Sequence, residues 1–301
     1  MNWQETRDFL TPCFPEAIRA ELMLLQPGEL REIRLRADRP TIFVTATRTV
    51  ELPWRPGPIQ LQALVEALSG HSLYARAEET SHGFLTLRGG HRMGLCGRVV
   101  HRKAGLSVVD VGAACIRIAA QWPGCADALL PLAMSGGQVQ SLLLIGPPGS
   151  GKTTLLRDLT RQLCSGRRAR QAAVIDERGE LAACVGGVPQ LDVGHTCDVL
   201  EGLGKAQAVP WLIRSMAPEV IITDELGSEA DAAAILDAQA CGCAVIASVH
   251  GCSLQDAASR PALAALMARR LFQHYAVLSP EGGGQILSVH DRCGSVAAAA
   301  S

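Results

Sequence analysis

The segment at residues 146–153, with the sequence GPPGSGKT, constrains the fold of this chain more than any other. It fits the phosphate-loop pattern G-x-x-x-x-G-K-[ST] without a mismatch. An apolar run precedes it at residues 141–145, and a pattern typical of a helix follows it through Cys164. A glycine-rich turn with a chance lysine would not need these flanks, whereas a phosphate loop lies between a buried strand and a helix. The sequence therefore predicts a loop that binds nucleotide phosphates.

Each residue type in this loop has a physical role in binding phosphate. Glycine lets backbone N–H groups close around phosphate oxygens, and the helix amino terminus adds partial positive charge. The Lys152 ammonium can reach the β- and γ-phosphates and act in catalysis, and the Thr153 hydroxyl can ligate Mg²⁺. Only three of the 28 basic residues are lysines, so a lysine at this position carries extra weight. The predicted nucleotide-binding residues of the loop are Gly146, Pro147, Pro148, Gly149, Ser150, Gly151, Lys152, Thr153 and Thr154.

A second segment, residues 220–225, is an apolar run that ends in Asp224 and Glu225. Ligands of open α/β sheets bind at the carboxyl ends of strands, where this Walker B pair would lie. Asp224 is predicted to hold Mg²⁺ through water, and Glu225 to orient or deprotonate the attacking water. A glutamate in this position separates ATPases from kinases and most GTPases, and the sequence has no guanine-reading N-K-x-D pattern. The predicted nucleotide is therefore ATP.

Three further residues are candidates for the catalytic site, each with a structural alternative. Glu177, with its neighbour Asp176, follows an apolar run and could tune a metal-bound water or accept a hydrogen bond from an arginine; the alternative is a solvated acidic turn. His250 ends another apolar run and could sense the γ-phosphate, or merely cap a strand. Arg214 lies ten residues before Asp224 and could stabilise charge, or be an ordinary surface arginine of a helix.

The order of the apolar segments predicts an α/β fold class. After residue 140, continuous apolar runs alternate with helical patterns, which indicates a mostly parallel sheet with helices on both faces. Before it, helical patterns combine with alternating, strand-like segments. The predicted organisation is a smaller α/β domain at 1–125, a linker at 126–140, a phosphate-loop ATPase domain at 141–295 and a frayed tail at 296–301.

The composition excludes several functional classes. The formal net charge is −1, residues 1–127 carry 15 basic and 13 acidic side chains, and 4% of the residues are aromatic. A protein that coats nucleic acid needs a basic excess and aromatic platforms, so no nucleic-acid partner is expected. The 11 cysteines form no CxxC pair, and we expect small buried side chains in a reducing compartment. No signal peptide or membrane span is predicted, which favours a cytoplasmic protein.

Longer segments resemble one known family. Residues 89–98, GGHRMGLCGR, are similar to its N-terminal signature, residues 176–181 to its acidic box, and residues 213–225 to the region around its Walker B strand. Two short pairs also match, His250-Gly251 and Arg260-Pro261. From about residue 30 to about residue 290 the chain resembles the stage III sporulation protein AA family of the secretion-ATPase superfamily.

This resemblance implies a RecA-like core preceded by a smaller α/β domain, with subunits assembled into a ring, a hexamer. It implies a motor that energises a channel between mother cell and forespore, docked on membrane proteins of that channel. In that setting Arg92 and Arg98 are candidates for phosphate contacts across a domain or subunit boundary; the alternative is two charges on a strand surface. The family also has a lysine at the position of Lys205. Pro210 departs from the family and predicts a later start for the helix that leads to Arg214.

Two other function classes stay open on the sequence alone. One is a RecA-like ATPase that acts on nucleic acid, which the near-neutral charge and the few aromatic residues disfavour. The other is a scaffold that binds ATP and barely hydrolyses it, which the presence of Glu225 argues against.

Overall fold

The structure is a computed structural model that describes residues 3–70, 83–102 and 105–299. Lys103, which the sequence predicts in a polar turn, lies outside the described residues. The chain divides into two compact units. The first unit comprises Met1–Ala120 and Ala183–Leu191, and the second comprises Gln121–Ala182 and Asp192–Ser301.

The first unit combines helices with one antiparallel sheet. Its strands are β1 (Leu30–Arg36), β2 (Thr41–Thr45), β3 (Thr49–Leu52), β4 (Phe84–Thr86), β5 (Arg92–Arg102) and β6 (Gly105–Arg117), and its helices are α1 (Trp3–Leu10), α2 (Glu16–Leu24) and α3 (Pro58–Leu68). The strand order is β3-β2-β1-β6-β5-β4, and every neighbouring pair is antiparallel. Alternate strand residues such as Ile33 and Leu35 share a buried cluster with Leu22 and Leu61 of the helices. One face of the sheet therefore packs on the helices.

A short excursion, Ala183–Leu191, belongs to the first unit although it interrupts the second unit in sequence. The Gln190 Oε1 atom accepts a hydrogen bond from the Gly89 N–H at 3.0 Å. Gly90 has a φ of 78°, and a Cβ atom there would lie 2.7 Å from the Leu191 Cδ2 atom. Only glycine fits this conformation and this space. Contact with the excursion thus explains why glycines stand in the N-terminal signature. The sequence does not predict the excursion itself.

The second unit is built on an eight-stranded sheet. Its elements in chain order are α4 (Leu130–Ala133), β7 (Met134–Ser135), β8 (Gln138–Val139), β9 (Leu142–Gly146), α5 (Lys152–Leu163), β10 (Ala172–Asp176), β11 (Cys197–Glu201), α6 (Lys205–Met216), β12 (Val220–Thr223), α7 (Glu229–Ala240), β13 (Ala244–His250), α8 (Leu254–Ala258), α9 (Pro261–Ala268), β14 (His274–Leu278), β15 (Ile286–Asp291) and β16 (Val296–Ala299). The order in the large sheet is β11-β10-β12-β13-β9-β14-β15-β16. The first six of these strands are parallel, β15 and β16 pair antiparallel, and β7 and β8 form a separate hairpin.

Both faces of this sheet are buried, as its continuous apolar runs predict. Leu143 of β9 belongs to a core cluster with Leu212 of α6. Leu144, the next residue, belongs to a second cluster with Leu159 of α5. Because successive strand residues point to opposite faces, each face has its own helical cover. The predicted parallel sheet with helices on both faces is therefore present.

Several segments are more ordered than the sequence predicts. Strands β3, β11 and β16 are not expected, and residues 296–299, expected within a frayed tail, pair with β15. Residues 126–140, expected as a linker, form α4 and the β7-β8 hairpin. Ala126, Leu129 and Ala133 of this segment are fully buried in the core of the second unit. These small and aliphatic side chains lack a long periodic pattern, so only their tertiary packing reveals their place.

Helix α6 starts at Lys205 and continues through Pro210 to Met216, so the predicted later start is wrong. Proline removes one intrahelical hydrogen bond. Val209 and Leu212, on either side of it, are buried in the core of the second unit. Burial of this apolar face stabilises a helix that local propensity disfavours.

The cysteines differ in exposure. All 11 are free thiols; Cys164, Cys184 and Cys243 are buried, whereas Cys96, Cys241, Cys252 and Cys293 are exposed. The expectation that the cysteines are small buried residues is therefore wrong for the four exposed ones.

The helices in the described part of the chain are short. The longest of them have 12 residues. None is long and apolar enough to cross a membrane.

Candidate nucleotide-binding site

Four parallel strands of the second unit end at one edge of its sheet, which we name the carboxyl edge. Strand β9 ends at Gly146, β10 at Asp176, β13 at His250, and β12 ends directly before Asp224. His250 pairs with Gly146 in the strand register, so it lies beside the start of the phosphate loop. The strand order β10-β12-β13-β9 thus brings the predicted loop, the acidic residues and the histidine to the same edge.

The phosphate loop, residues 146–153, turns directly into helix α5. Gly151 caps the helix with a φ of 98°, a conformation that glycine adopts without strain. Lys152 is buried, and its Nζ atom donates to the carbonyl oxygens of Gly146 at 2.7 Å and Pro147 at 2.9 Å. Burial lowers the pKa of Lys152, and the two acidic residues after β12 oppose that shift. The lysine ammonium is therefore held at the loop, within the field of the Walker B acids.

A glycine-rich turn that the sequence does not predict packs against the phosphate loop. Gly282, Gly283 and Gly284, which we name the glycine turn, lie between β14 and β15, and each has a positive φ. The Gly284 N–H donates to the Ser150 carbonyl oxygen at 3.0 Å. A Cβ atom on Gly151 would lie 2.8 Å from the Gly284 nitrogen. The glycine turn therefore helps to fix the loop backbone, and the run of three glycines is the sequence signal that could have indicated it.

Asp224 lies in a buried, strongly acidic environment. It is 4% exposed, and burial raises its pKa to about 6. The carboxylates of Asp176, Glu180 and Glu225 contribute to this raised pKa, whereas the ammonium of Lys205 opposes it. A buried carboxylate surrounded by other carboxylates is an environment that a divalent cation neutralises.

Glu225 has a constrained backbone and a partly exposed side chain. Its φ is 45°, a conformation that costs free energy for a residue with a Cβ atom. Its N–H donates to the Ser248 Oγ atom at 3.1 Å, and the Leu226 N–H donates to the Ser248 carbonyl oxygen at 2.9 Å. The Glu225 Oε2 atom forms an ion pair with the Arg178 Nη1 atom. Ser248 and Arg178 are contacts of the predicted base that the sequence does not reveal.

Asp176 shapes the acidic box, residues 176–181. It is fully buried, and its carboxylate accepts hydrogen bonds from the N–H groups of Glu180 at 2.7 Å, Leu181 at 3.0 Å and Ala182 at 2.8 Å. These bonds hold the turn after β10 in one conformation. Asp176 thus stabilises this turn, and its predicted effect on a metal-bound water stays a prediction.

Glu177 pairs with Lys205 across the carboxyl edge. The Lys205 Nζ atom lies 2.7 Å from the Glu177 Oε2 atom, and the lysine is 4% exposed. Glu177 thus pairs with a lysine, whereas the sequence predicts an arginine as its partner. Lys205 stands at the start of helix α6 and acts on Asp224, so it belongs to the same cluster of charges.

Arg214 lies away from this edge. Helix α6 ends at Met216 and β12 starts at Val220, so Arg214 lies near the amino end of that strand. Its side chain is exposed, and its Nε atom donates to the Pro210 carbonyl oxygen of the same helix at 2.9 Å. The structure contradicts the placement of Arg214 at the catalytic site and supports the alternative of a surface arginine.

Arg92 and Arg98 lie on strand β5 of the first unit. The Arg92 guanidinium stands over the Phe84 ring, 4.4 Å from its centroid. The Arg98 Nε atom lies 2.6 Å from the Asp110 Oδ2 atom, and both side chains are exposed. These contacts are within the unit, and a role of the two arginines in phosphate binding stays a prediction.

The family model for sporulation stage III, protein AA matches residues 13–297 of the chain. The chain belongs to this family. Stage III sporulation protein AA of Bacillus subtilis (strain 168) is 39% identical over 290 residues, which cover 94% of each chain. The resemblance predicted from the N-terminal signature, the acidic box and the Walker B region is therefore confirmed.

Two solved structures share the fold. The pilus retraction motor PilT, solved with bound ADP, superposes with a TM-score of 0.56 at 18% identity, over 82% of this chain and 74% of that one. The ATPase DotB of Legionella pneumophila superposes with a TM-score of 0.55 at 14% identity, over 82% of this chain and 72% of that one. The predicted fold, a RecA-like core preceded by a smaller α/β domain, is confirmed.

Proposed function

We propose that the chain is an ATPase that converts ATP and water into ADP and phosphate with the help of Mg²⁺. The observation that carries this proposal is the convergence of three charged groups at the carboxyl edge. The buried Lys152 of the phosphate loop comes from one strand end, and Asp224 and Glu225 come from another. The fold shared with the DotB ATPase and with ADP-bound PilT supports it.

The residues at this edge suit a nucleotide and a magnesium ion. The backbone N–H groups of the loop and the Lys152 ammonium would bind phosphate oxygens. The Ser150 hydroxyl of the loop is buried without a hydrogen-bond partner among the described residues, and such groups are rare unless a ligand or water serves them. Thr153, and Asp224 through water, would hold Mg²⁺, which shields the developing charge on the phosphates.

Glu225 would take the proton of the attacking water. Its side chain is 41% exposed, which leaves room for a water molecule, while Ser248 fixes its backbone. His250 lies beside Gly146 and would sense the γ-phosphate. Glu177 is held by Lys205, so we assign this pair to the acidic turn and not to proton transfer.

We further propose that the subunits assemble into a ring, a hexamer, in the cytoplasm and dock on membrane proteins of a sporulation channel that they energise. Family membership and the name of the Bacillus subtilis relative support the link to sporulation, and the motor PilT shares the fold. Arg92 and Arg98 would contact phosphate across a domain or subunit boundary. Sedimentation of the full chain with Mg²⁺ and ATP tests the assembly, and a monomer at every concentration would contradict it.

An ATPase that acts on nucleic acid is the alternative function. The net charge of −1 disfavours it because phosphate backbones require a basic surface. Single-stranded DNA and RNA are expected to leave the ATPase rate unchanged. A salt-sensitive, several-fold stimulation of the rate would instead support the alternative.

Phosphate release by the wild-type chain and by Glu225→Gln tests the proposed reaction. The amide keeps the shape of the side chain but cannot accept the proton, so turnover is expected to fall at least about 100-fold. ATP affinity should stay within about threefold, because the phosphate loop is unchanged. Glu229→Gln, an exposed glutamate at the start of α7, is the matched control and should behave as wild type. Unchanged turnover in Glu225→Gln would remove its catalytic role.

A further inference from the structure

We propose that Arg178 is a positioning residue that holds the Glu225 carboxylate in the orientation that activates the attacking water. This inference rests on the proposed function, because it concerns the base of that reaction. The ion pair between the Arg178 Nη1 atom and the Glu225 Oε2 atom is its first support. The second support is that hydrogen bonds hold the backbones on both sides of the pair, so that the ion pair itself orients the Glu225 side chain.

The backbone of Glu225 is fixed from the neighbouring strand. Ser248 of β13 accepts the Glu225 N–H with its hydroxyl and the Leu226 N–H with its carbonyl oxygen. These two bonds hold the positive φ of Glu225. The side chain beyond it is 41% exposed and has three rotatable bonds, so the backbone alone does not orient the carboxylate.

The backbone of Arg178 is fixed by the acidic box. The buried Asp176 carboxylate accepts three N–H groups of residues 180–182, and Gly179 turns the chain with a φ of 64°. Strands β10 and β12 are parallel neighbours, so the turn after β10 lies beside the residues that follow β12. Arg178 therefore approaches Glu225 from a rigid turn on the adjacent strand.

Among the described residues, the Lys152 ammonium and the Arg178 guanidinium both interact with Glu225, and the two contacts would orient its carboxylate differently. The Lys152 ammonium interacts with Glu225 electrostatically, but Lys152 is assigned to the nucleotide phosphates. If the carboxylate turned toward Lys152, it would leave the water and neutralise the cation that the phosphates need. Arg178 pairs with the Oε2 atom, and in the proposed arrangement the Oε1 atom would face the water. A planar guanidinium fixes a carboxylate in direction better than an ammonium does.

The Arg178–Glu225 ion pair is exposed, so its role in catalysis can be distinguished from a contribution to protein stability. The Arg178 and Glu225 side chains are 62% and 41% exposed. Exposed ion pairs contribute little to stability because solvent screens them. Loss of Arg178 should therefore appear in turnover and leave the melting temperature of the protein unchanged.

The test measures ATP turnover, the KM for ATP and the melting temperature of the full chain as wild type, Arg178→Ala and Arg178→Lys. We expect Arg178→Ala to lower kcat about tenfold or more, with KM within about twofold and an unchanged melting temperature. Arg178→Lys should restore part of the rate. Arg168→Ala removes an exposed arginine from the turn before β10 and should behave as wild type. A changed KM with unchanged kcat in Arg178→Ala would overturn the proposal.

A double-mutant comparison tests whether Arg178 acts through Glu225. In a Glu225→Gln background, Arg178→Ala should cause no further loss of turnover, because the base is already absent. The same loss in both backgrounds would overturn the proposal. If the wild-type chain does not hydrolyse ATP, the proposed function and this inference both fail. If the wild-type chain hydrolyses ATP and Arg178→Ala does so at the same rate, only the inference fails.

Discussion

The two edges of the parallel sheet carry polar groups of different kinds. At the carboxyl edge, Lys152 and Asp224 are charged groups that are buried. At the opposite, amino edge, neutral groups cap two strand starts: the Ser141 N–H donates to the Gln273 Oε1 atom at 2.7 Å, and the Val245 N–H donates to the Ser141 Oγ atom at 2.9 Å.

The charged groups at the amino edge are paired and partly exposed. The Glu219 carboxylate accepts the Gln171 N–H at 3.3 Å and forms an ion pair with Arg170, and the Glu219 and Arg170 side chains are 46% and 22% exposed. The amino edge therefore satisfies backbone groups with neutral side chains and with an ion pair that solvent reaches.

The carboxyl edge holds more charge than the fold requires. The raised pKa of Asp224 shows that its ionised form is disfavoured where it lies. Carboxylates crowded in this way reduce stability and mark functional sites, where a ligand compensates them. The two edges therefore differ in the burial of their charges, and the carboxyl edge has the character expected of a site for a charged ligand.

The largest loss of ATP affinity in this group of predictions should come from a substitution at Gly151, where the phosphate loop meets the glycine turn. Alanine at Gly151 or Gly149 must adopt a positive φ, which costs about 1–2 kcal/mol. A Cβ atom at Gly151 would also meet the Gly284 nitrogen at 2.8 Å, whereas a Cβ atom at Gly149 meets no atom within 4 Å among the described residues. Calorimetric titration with ATP should show at least about a tenfold larger loss of affinity for Gly151→Ala than for Gly149→Ala. Equal losses would mean that the glycine turn does not shape the loop.

Removal of the crowded charge should stabilise the protein without nucleotide. The Asp224 pKa is raised from its ordinary value to about 6 in the folded state, so folding disfavours the ionised form, and stability falls as pH rises toward 6. Asp224→Asn lacks this penalty. Its free energy of unfolding at pH 8, measured by denaturant titration, should exceed that of the wild type by at most about 3 kcal/mol. At pH 4.5 the difference in unfolding free energy between Asp224→Asn and the wild type should be smaller. An equal stability difference at both pH values would show that the cost of ionising the buried Asp224 is not its cause.

Substitutions at the two ends of helix α6 should have smaller effects on ligand binding, and the two ends can be compared directly. Lys205 is buried at the carboxyl edge, paired with Glu177 and acting on Asp224, whereas Arg214 is exposed near the amino edge. Lys205→Met removes a positive charge from the edge that would hold the ATP phosphates, so it should weaken ATP binding several-fold. Arg214→Ala should change ATP binding less than about twofold, because Arg214 lies away from that edge. Titrations of both variants under one condition check this. A stronger effect of Arg214→Ala would reverse the assignment of the two ends.

Local spacing accounts for the parts of the site that the sequence predicts. The strand–loop–helix context indicates Lys152, and the apolar run before Asp224 indicates the Walker B strand, because each pattern is complete within about 20 residues. The error at Arg214 has a geometric reason that the sequence could have shown. A helix that leads into a parallel strand ends near the amino edge, so its first residue, Lys205, reaches the site and its last turn does not.

The remaining contacts join residues that are distant in sequence. Gly284 meets Ser150 only because β14 lies beside β9, and Arg178 meets Glu225 only because β10 lies beside β12. The excursion Ala183–Leu191 likewise follows from contacts with the N-terminal signature. No periodic pattern encodes such pairings, because strand order is a property of the whole sheet.

The carboxyl edge is proposed to bind ATP through its phosphate loop. Calorimetric titration of the wild-type chain and of Lys152→Ala with ATP and Mg²⁺ tests it most directly. The wild-type chain should bind ATP, and Lys152→Ala should lose at least about 100-fold in affinity, since the ammonium would supply charge-assisted hydrogen bonds to the phosphates. ATP affinity that is unchanged in Lys152→Ala would contradict the claim.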